Sequence, residues 1–148
     1  MTALLAEIVA ARGEEPAVID ERGTTSWNQL DQRVTQLVHA LEGRGLRVGD
    51  TVVAMLGNQV ELIEATLACA HGGWLLVPLN WHWVAREVAY VLADADAAAV
   101  IVDARWADVM TGALVEAEVP RLRSRLLVGD GAVPSGFEGY EDAVAAAS

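Results

Sequence analysis

The segment Trp81-His82-Trp83 carries the most unusual group of side chains in this 148-residue chain. Two indoles and an imidazole directly follow an apolar run that is typical of a strand, and open α/β sheets commonly bind ligands at the carboxyl ends of their strands. We expect the indoles to cover the sheet edge or to meet a neighbouring domain, with a ligand contact as the alternative. Trp81, His82 and Trp83 are therefore the candidates for contact with a substrate or a partner.

The other reactive side chains do not form a recognisable catalytic or metal-binding pattern. No two of His71, His82 and Glu87 have the i, i+4 or Cys-x-x-Cys type of spacing that holds a metal. No Ser or Cys nucleophile has an evident His partner. We attribute the acidic residues at helix and strand ends to solvation and the helix dipole; they are Glu61, Glu64, Asp94, Asp96 and Asp103. We predict no catalytic, cofactor-binding or metal-binding residue.

Two glycine-rich stretches resemble phosphate-binding loops only superficially. Gly43–Gly49 precedes a strand, so it does not place a helix N-terminus next to a phosphate. Gly129-Asp130-Gly131 follows a strand, but neither a capped helix nor a Gly-Lys-Ser/Thr sequence comes after it. We expect both stretches to be simple loops and the chain to lack a nucleotide site.

Length and composition favour one folded domain, residues 1–148, with a sizeable core. The chain is 53% hydrophobic with a mean hydropathy of +0.30, which suits strands buried on both faces of a sheet. Its formal net charge is −11, and all ten cationic side chains are Arg. Because this charge repels phosphate backbones, nucleic acid is not an expected partner. The absence of Lys removes the usual Schiff-base nucleophile and P-loop cation.

Three local features favour a cytoplasmic protein without a transmembrane segment. The single Cys69 has no internal disulfide partner and is expected to pack as a small apolar residue. Residues 1–11 carry Glu7 and no basic leader, unlike a signal peptide. Residues 65–85 carry no formal charge, but Gly72-Gly73 and Pro78 interrupt them, so we expect a helix followed by a strand.

The hydrophobic pattern predicts helices that alternate with strands. Thr2 is expected to cap a first helix that ends at Gly13, and Pro16–Asp20 and Thr24–Ser26 are expected to form a hairpin. Ser26 and Gln29 match a capping box. The helix that follows has a predicted buried stripe at Leu30, Val34, Leu37, Val38 and Leu41, and His39 is expected at its surface.

The stretch from Gly49 to Asn80 reads as strand, helix, strand, and a crossover of this length makes the two strands parallel. Asn58 is the predicted helix cap and Gly72 the predicted left-handed residue after the helix. The face predicted to meet the sheet comprises Val60, Ile63, Leu67 and Ala70.

Weaker periodicity continues to residue 131. It predicts a helix with apolar residues Val84, Val88, Val91 and Leu92, a strand at 98–102, a helix at 107–118 and a strand at 125–128; after Gly131 no period is evident. We therefore predict an α/β fold with a largely parallel sheet, helices on both faces and a small N-terminal β-hairpin. The strand order stays open.

The residues of the central stretch resemble a known family. Its features are Gly49-Asp50, Asn58, Glu61, the run Leu67–Gly73 and Val77-Pro-Leu-Asn80, preceded by Thr25–Leu30. In this order they resemble the N-terminal part of the adenylate-forming (AMP-binding) enzymes of the acyl-CoA synthetase or fatty-acid-CoA ligase type, over about residues 16 to 130. One departure is Asn80-Trp-His-Trp-Val84, where relatives often have Asn-Pro-Arg-Leu-Thr.

The resemblance implies a parent enzyme that joins a fatty or other carboxylic acid to coenzyme A with ATP and Mg²⁺, releasing AMP and pyrophosphate. In such enzymes the phosphate loop and the catalytic Lys lie downstream, so it implies an N-terminal fragment that is inactive alone. Two alternatives stay open. One is a non-catalytic interaction or dimerisation module, a homo-oligomer through exposed apolar surface. The other is an independent nucleotide-binding domain, which the missing phosphate loop and Lys disfavour.

Overall fold

The computed structural model describes residues 3–147, in which six α-helices and seven β-strands follow one another along the chain. The helices are α1 (Ala3–Arg12), α2 (Trp27–Gly43), α3 (Val60–Gly72), α4 (Ala85–Asp94), α5 (Ala107–Glu116) and α6 (Tyr140–Ala146). The strands are β1 (Pro16–Asp20), β2 (Gly23–Ser26), β3 (Thr51–Met55), β4 (Leu75–Pro78), β5 (Ala97–Asp103), β6 (Ser124–Val128) and β7 (Glu138–Gly139). A 3-10 turn, Ala104–Trp106, joins β5 to α5.

The strands form two separate sheets. β1 and β2 pair as an antiparallel hairpin, as predicted. The other five strands form one parallel sheet in the order β4-β3-β5-β6-β7, which the sequence left undetermined. The predicted fold class, α/β with a largely parallel sheet, helices on both faces and a small hairpin, is confirmed.

Helices cover both faces of the parallel sheet, and this explains its continuous apolar strands. In β3, Val52 and Ala54 point to a core shared with α2, α3 and α6, whereas Val53 and Met55 point to a core shared with α4 and α5. Successive side chains alternate between the faces of a strand, so only a strand buried on both sides carries apolar residues at every position. β5 is buried along its whole length for the same reason.

The predicted start and buried stripe of α2 are confirmed. Ser26 Oγ accepts a hydrogen bond from the Gln29 N–H at 3.2 Å, and Gln29 Oε1 accepts one from the Ser26 N–H at 2.8 Å. The predicted apolar stripe from Leu30 to Leu41 is buried against the sheet, and His39 is exposed. The predicted cap Thr2 and the side chain of Leu4 lie outside the described residues.

The predicted sheet-facing surface of α3 is correct only in part, since Val60 and Leu67 pack against the core but Ile63 and Ala70 do not. Ile63 is 40% exposed, Ala70 is exposed, and Val60 and Leu67 are only half-buried. The buried residues of this helix are Glu61, Glu64, Ala65, Ala68 and Cys69. A count of apolar residues assigns the wrong face, because two of the buried positions hold carboxylates whose Arg partners come from elsewhere in the chain.

Both predicted ends of α3 are displaced by one residue. The residue that precedes the helix is Gln59 rather than Asn58, and the Val60 N–H donates to Asp20 Oδ2 of the hairpin at 3.2 Å. At the other end, Gly73 rather than Gly72 adopts the left-handed conformation, with φ at 71°. A side chain distant in sequence therefore caps the helix, which no local pattern reveals.

The segment after Gly131, for which the sequence predicted no regular structure, contains β7 and α6. Tyr140, Ala143 and Val144 pack into the core beneath α2 and α3. Both elements are short, so neither gives a clear period. α5 ends at Glu116, two residues before its predicted end.

Two further predictions concern Cys69 and membrane insertion. Cys69 is buried, and burial raises the pKa of its thiol to about 12, so it packs as a small apolar residue as predicted. The helices of the described residues are all too short or too polar to span a lipid bilayer.

Candidate functional site

The chain path creates a crevice at the carboxyl ends of β3 and β5. These strands are neighbours, but β3 continues into α3 on one face of the sheet and β5 continues into α5 on the other. The loops that leave the two strands therefore separate from each other. This is the topological switch point at which open α/β sheets bind their ligands.

A cleft of about 560 Å³ occupies this switch point. Its floor is formed by the loops after β3, β5 and β6, and its walls by Trp81, by the turn of the hairpin and by the start of α6. The charged and aromatic lining residues are Asp20, Glu21, Arg22, Glu61, Trp81, Asp103, Arg105, Trp106, Asp130, Tyr140 and Glu141. We refer to this cavity as the switch-point cleft.

Arg105 bridges the two sides of the switch-point cleft. Its Nε donates to Asp103 Oδ1 at 2.9 Å and its Nη2 donates to Asp103 Oδ2 at 3.2 Å. Nη2 also donates to Gln59 Oε1 at 3.2 Å, and that oxygen accepts the Gly57 N–H at 3.1 Å. Burial alone raises the pKa of Asp103, but the bonds from Arg105 outweigh it and lower the pKa below its usual value. The loops after β3 and β5 are thus joined by charge-assisted hydrogen bonds.

Gly57 leaves the space that Arg105 occupies. A Cβ added to Gly57 would lie 2.7 Å from Arg105 Nη2, which is too close. We predict that Gly57→Ala displaces the mobile end of Arg105 but changes the free energy of unfolding by no more than about 1 kcal/mol. The NMR signal of the Trp106 indole should shift, because Arg105 lies 4.5 Å from that ring and the added methyl group would itself lie 3.6 Å from it.

The matched control is Gly43→Ala, because no heavy atom lies within 4 Å of a Cβ added there. It should leave the Trp106 signal unchanged. An unchanged signal in Gly57→Ala would show that Gly57 does not set the position of Arg105.

Arg22 ties the hairpin turn to α3 at one wall of the cleft. Its Nη1 and Nη2 donate to the two carboxylate oxygens of Glu61 at 2.8 and 2.5 Å. Glu61 is only 2% exposed. Burial by itself raises the pKa of Glu61, but hydrogen bonds, first of all from Arg22, lower it below its usual value. The pKa of Asp20 is also lowered, chiefly by the backbone N–H groups of Arg22 and Val60.

These lowered pKa values predict a loss of stability in acid. Near pH 4 the unfolded chain binds more protons at Asp20, Glu61 and Asp103 than the folded chain does. Their contribution to stability is therefore complete above about pH 5 and disappears as the pH falls through the lowered pKa values. Urea unfolding between pH 3 and pH 7 measures this slope, and Glu61→Gln should reduce it. An equal slope in Glu61→Gln would contradict the assignment to Glu61.

A second ion-pair network lies beside the cleft and includes a completely buried carboxylate, Glu64. Arg33 Nε donates to Glu64 Oε1 at 2.5 Å, and the Tyr140 hydroxyl donates to Glu64 Oε2 at 2.6 Å. Arg33 Nη2 also donates to the exposed Glu141 at 2.7 Å. Burial, reinforced by Glu64, raises the pKa of Tyr140 well above its usual value, so its hydroxyl stays protonated and donates. This network joins α2, α3 and α6.

The structure divides the predicted group Trp81, His82 and Trp83 into two parts. Trp81 lines the switch-point cleft, where its ring stacks on His82 with centroids 3.7 Å apart and lies 5.6 Å from the ring of Trp106. Trp83 points away and packs against the core under α4. It lines a separate shallow groove beside Tyr90. The three side chains therefore do not form one site.

Sequence reasoning missed most of the cleft. Glu61, Glu64 and Asp103 are almost fully buried and paired with Arg, so their explanation by solvation at element ends is wrong. Arg22 and Arg105 follow strands and match no motif. The one available signal was the absence of Lys beside ten Arg, because Arg favours bidentate pairing with buried carboxylates.

The cleft residues do not fit a magnesium–nucleotide complex. The lining includes six carboxylates and two guanidinium groups, a formal charge of −4, and carboxylates already engage both guanidinium groups. A triphosphate would be repelled. Within residues 3–147, no three His, Cys, Asp or Glu side chains are grouped closely enough to hold a metal ion.

Comparison with known proteins finds fatty-acid ligases among the relatives of this chain. Over 80 residues the chain is 41% identical to the fatty acid–[acyl-carrier-protein] ligase ScoC of Streptomyces coeruleorubidus, covering 53% of this chain and 15% of ScoC. Over 115 residues it is 30% identical to a medium/long-chain-fatty-acid–CoA/3-oxocholest-4-en-26-oate–CoA ligase of Mycobacterium tuberculosis, covering 78% of this chain and 21% of that ligase. The matched part of the chain thus spans 15% and 21% of the lengths of these relatives.

Comparison with solved structures also finds a ligase. The crystal structure of the anthranilate CoA ligase AuaEII superposes with a TM-score of 0.89 at 20% identity, over 97% of this chain and 27% of AuaEII. At this identity the match shows the fold. The family of AMP-binding enzymes matches residues 5–146, nearly the whole chain. The chain therefore belongs to the AMP-binding enzyme family, as its resemblance predicted.

Proposed function

We propose that this chain forms the N-terminal portion of an ATP-dependent acyl-CoA ligase. The parent enzyme converts a carboxylic acid, ATP and coenzyme A into acyl-CoA, AMP and pyrophosphate, with Mg²⁺ as the metal. The observation that carries the proposal is the family match from residue 5 to residue 146. The cytoplasm is the proposed compartment, and a fatty acid is the proposed substrate class, because both relatives named above carry fatty acid in their names.

This chain contributes a scaffold to the proposed reaction. It has no Lys, and the charge of the switch-point cleft opposes a triphosphate. We therefore propose that residues 1–148 form one domain that is inactive alone. ATP and Mg²⁺, when bound in the parent enzyme, supply the activation of the carboxylate. The residues described here orient the loops at the carboxyl edge of the sheet.

The activity of the isolated chain is directly measurable. Incubation with dodecanoate, ATP and Mg²⁺, followed by a pyrophosphate-release assay, should give no signal above a reaction without protein. Formation of acyl-adenylate by the 148-residue chain would overturn the proposed inactivity.

A chimera tests the family role. We would replace the matching segment of the Mycobacterium tuberculosis ligase with residues 5–146 of this chain and measure acyl-CoA formation. The chimera should keep ligase activity, whereas the same chimera carrying Ala68→Asp, which disrupts the core, should lose it. A folded chimera that forms no acyl-CoA would contradict the proposal.

A second candidate function, an interaction or dimerisation module, is favoured by the apolar surface near β4. This strand is at the edge of the sheet, Leu75 is 61% exposed, and Tyr90 on α4, the next helix along the chain, is 70% exposed. The Leu75 N–H donates to the Asp50 carbonyl just before β3, and the Leu79 N–H donates to the Ala54 carbonyl within β3. The backbone groups of Leu76 and Pro78 therefore face the open edge. Pro78 has no N–H, which disfavours addition of a further strand. Contact through side chains remains as the mode of association.

Light scattering distinguishes the two candidates. A homo-oligomer through this surface should dissociate on Leu75→Ser and Tyr90→Ser. The monomer of the unsubstituted chain, obtained by dilution, should bind a hydrophobic dye. A chain that is monomeric at all concentrations and binds no dye would remove the second candidate.

A further inference from the structure

Aromatic and guanidinium groups form a continuous stack at the rim of the switch-point cleft. His82 lies on Trp81, Trp81 lies next to Trp106 with an angle of 23° between the rings, and the guanidinium group of Arg105 lies 4.5 Å from the centre of the Trp106 ring. Trp81 is nevertheless 47% exposed. The stack therefore holds a partly exposed indole at the rim, and its position is fixed from both the β4 and the β5 loops.

The charge of the cleft selects what can bind to this surface. Asp103 and Gln59 hold Arg105, and Asp20 and Glu61 hold Arg22, so neither Arg is free to bind an anion. Glu21 and Asp130 also line the cleft. Within residues 3–147, neither of these two exposed carboxylates has a hydrogen bond or an ion pair, although the charge of Glu21 acts on Arg105. A partly exposed indole beside carboxylates without a hydrogen-bond partner favours a cation.

Guanidinium suits the cleft better than ammonium does. A guanidinium group is planar, stacks on aromatic rings and donates two parallel hydrogen bonds to a carboxylate. Ammonium is more strongly hydrated and makes point contacts. The cleft already contains one guanidinium group that contacts an indole and binds a carboxylate in this way, Arg105 with Trp106 and Asp103.

The negative charge of the chain and of its cleft also indicates what kind of partner can bind. A second copy of this chain would bring another net charge of −11 towards the cleft, which opposes association. A basic segment of a different polypeptide is complementary in charge to the lining of the cleft.

We propose that the switch-point cleft is a docking site for an Arg side chain of another polypeptide, which contacts the exposed part of the Trp81 indole and pairs with Glu21 or Asp130. Neither the cleft nor its charge depends on the ligase reaction, so this proposal stands apart from the proposed function. A failed chimera would leave it intact, and a failed binding experiment would leave the chimera result intact.

The test uses the full chain and a defined probe, the peptide acetyl-Leu-Arg-Leu-amide. The chain has five Trp, and the indole N–H signals of Trp81 and Trp106 are followed by NMR while peptide is added. We expect saturable shifts of these two signals, with a dissociation constant on the order of 1 mM for so small a probe. The peptides with Lys, Gln or Glu in place of Arg should bind progressively more weakly.

Two matched variants separate the cleft from the overall charge of the protein. Glu21→Gln with Asp130→Asn should weaken binding about tenfold, since charged contacts are lost at the site. Asp94→Asn with Glu116→Gln makes the same change in net charge at exposed positions near the ends of α4 and α5, and should leave the dissociation constant within about twofold. Trp81→Leu should abolish the preference for Arg over Lys.

Four results would overturn the proposal. They are equal binding of the Glu peptide, equal weakening by the two double variants, no loss of Arg preference in Trp81→Leu, and no shift of the Trp81 signal at peptide concentrations of about 10 mM, roughly ten times the expected dissociation constant. Thermal unfolding of each variant, measured beside that of the unsubstituted chain, ensures that dissociation constants are compared only among folded proteins.

Discussion

Replacing Ala68 with Asp is expected to lower the free energy of unfolding by about 4 kcal/mol or more. Ala68 is completely buried in the core between α3, α2 and the sheet. An Asp there adds volume to a close-packed region and buries a carboxylate for which the surrounding apolar side chains provide no partner. Because domains of this size are stable by only about 5–15 kcal/mol, this loss is a large share of the total stability.

Urea unfolding followed by circular dichroism measures this effect. The matched control is Ala70→Asp, which makes the same substitution at an exposed position of α3 and should cost no more than about 1 kcal/mol. Equal losses in the two variants would mean that the buried face of α3 is assigned wrongly.

Replacing Arg33 with Met is expected to cost about 3–5 kcal/mol, the range found when one partner of a buried ion pair is removed. The variant retains an apolar stem of similar length but leaves Glu64, completely buried, with the Tyr140 hydroxyl as its remaining hydrogen-bond donor. The loss reflects an uncompensated buried charge rather than the strength of the Arg33–Glu64 attraction alone. It should loosen α6, which reaches the network through Tyr140.

Glu141→Gln is the control for this variant, because Glu141 also pairs with Arg33 but is 66% exposed. A solvent-exposed ion pair contributes at most about 1 kcal/mol, so the free energy of unfolding of this variant in urea should remain close to that of the unsubstituted chain. The double variant Arg33→Met with Glu64→Leu should recover part of the loss, since it removes the buried charge together with its partner. Failure of the second substitution to recover any stability would contradict this explanation.

Local patterns were sufficient where the interaction is local. The capping box at Ser26 and Gln29 lies within four residues, and the buried stripe of α2 repeats at the helical period, so both could be read from the sequence. The hairpin and the central strand–helix–strand unit followed from the same kind of pattern. The ordered residues between Gly49 and Asn80 also indicated the family, which the match over residues 5–146 confirmed.

The buried face of α3 shows why local patterns fail elsewhere. Glu61 and Glu64 point into the protein because Arg22 and Arg33 lie within reach, and these partners are 39 and 31 residues away in the chain. A hydrophobicity count treats any carboxylate as a surface residue. Whether it can be buried depends on a partner, and only the folded chain determines which residues become partners.

The sequence by itself determined the α/β class, the parallel crossover, the start of α2 and the family of this protein, because each rests on periodicity or on residues close together in the chain. Only the tertiary structure decided the strand order, and with it the switch point between β3 and β5. It also decided that Trp81 faces the cleft while Trp83 packs against the core. The physical reason is that the cleft is assembled from six separate segments of the chain. Their proximity depends on the strand order rather than on local sequence.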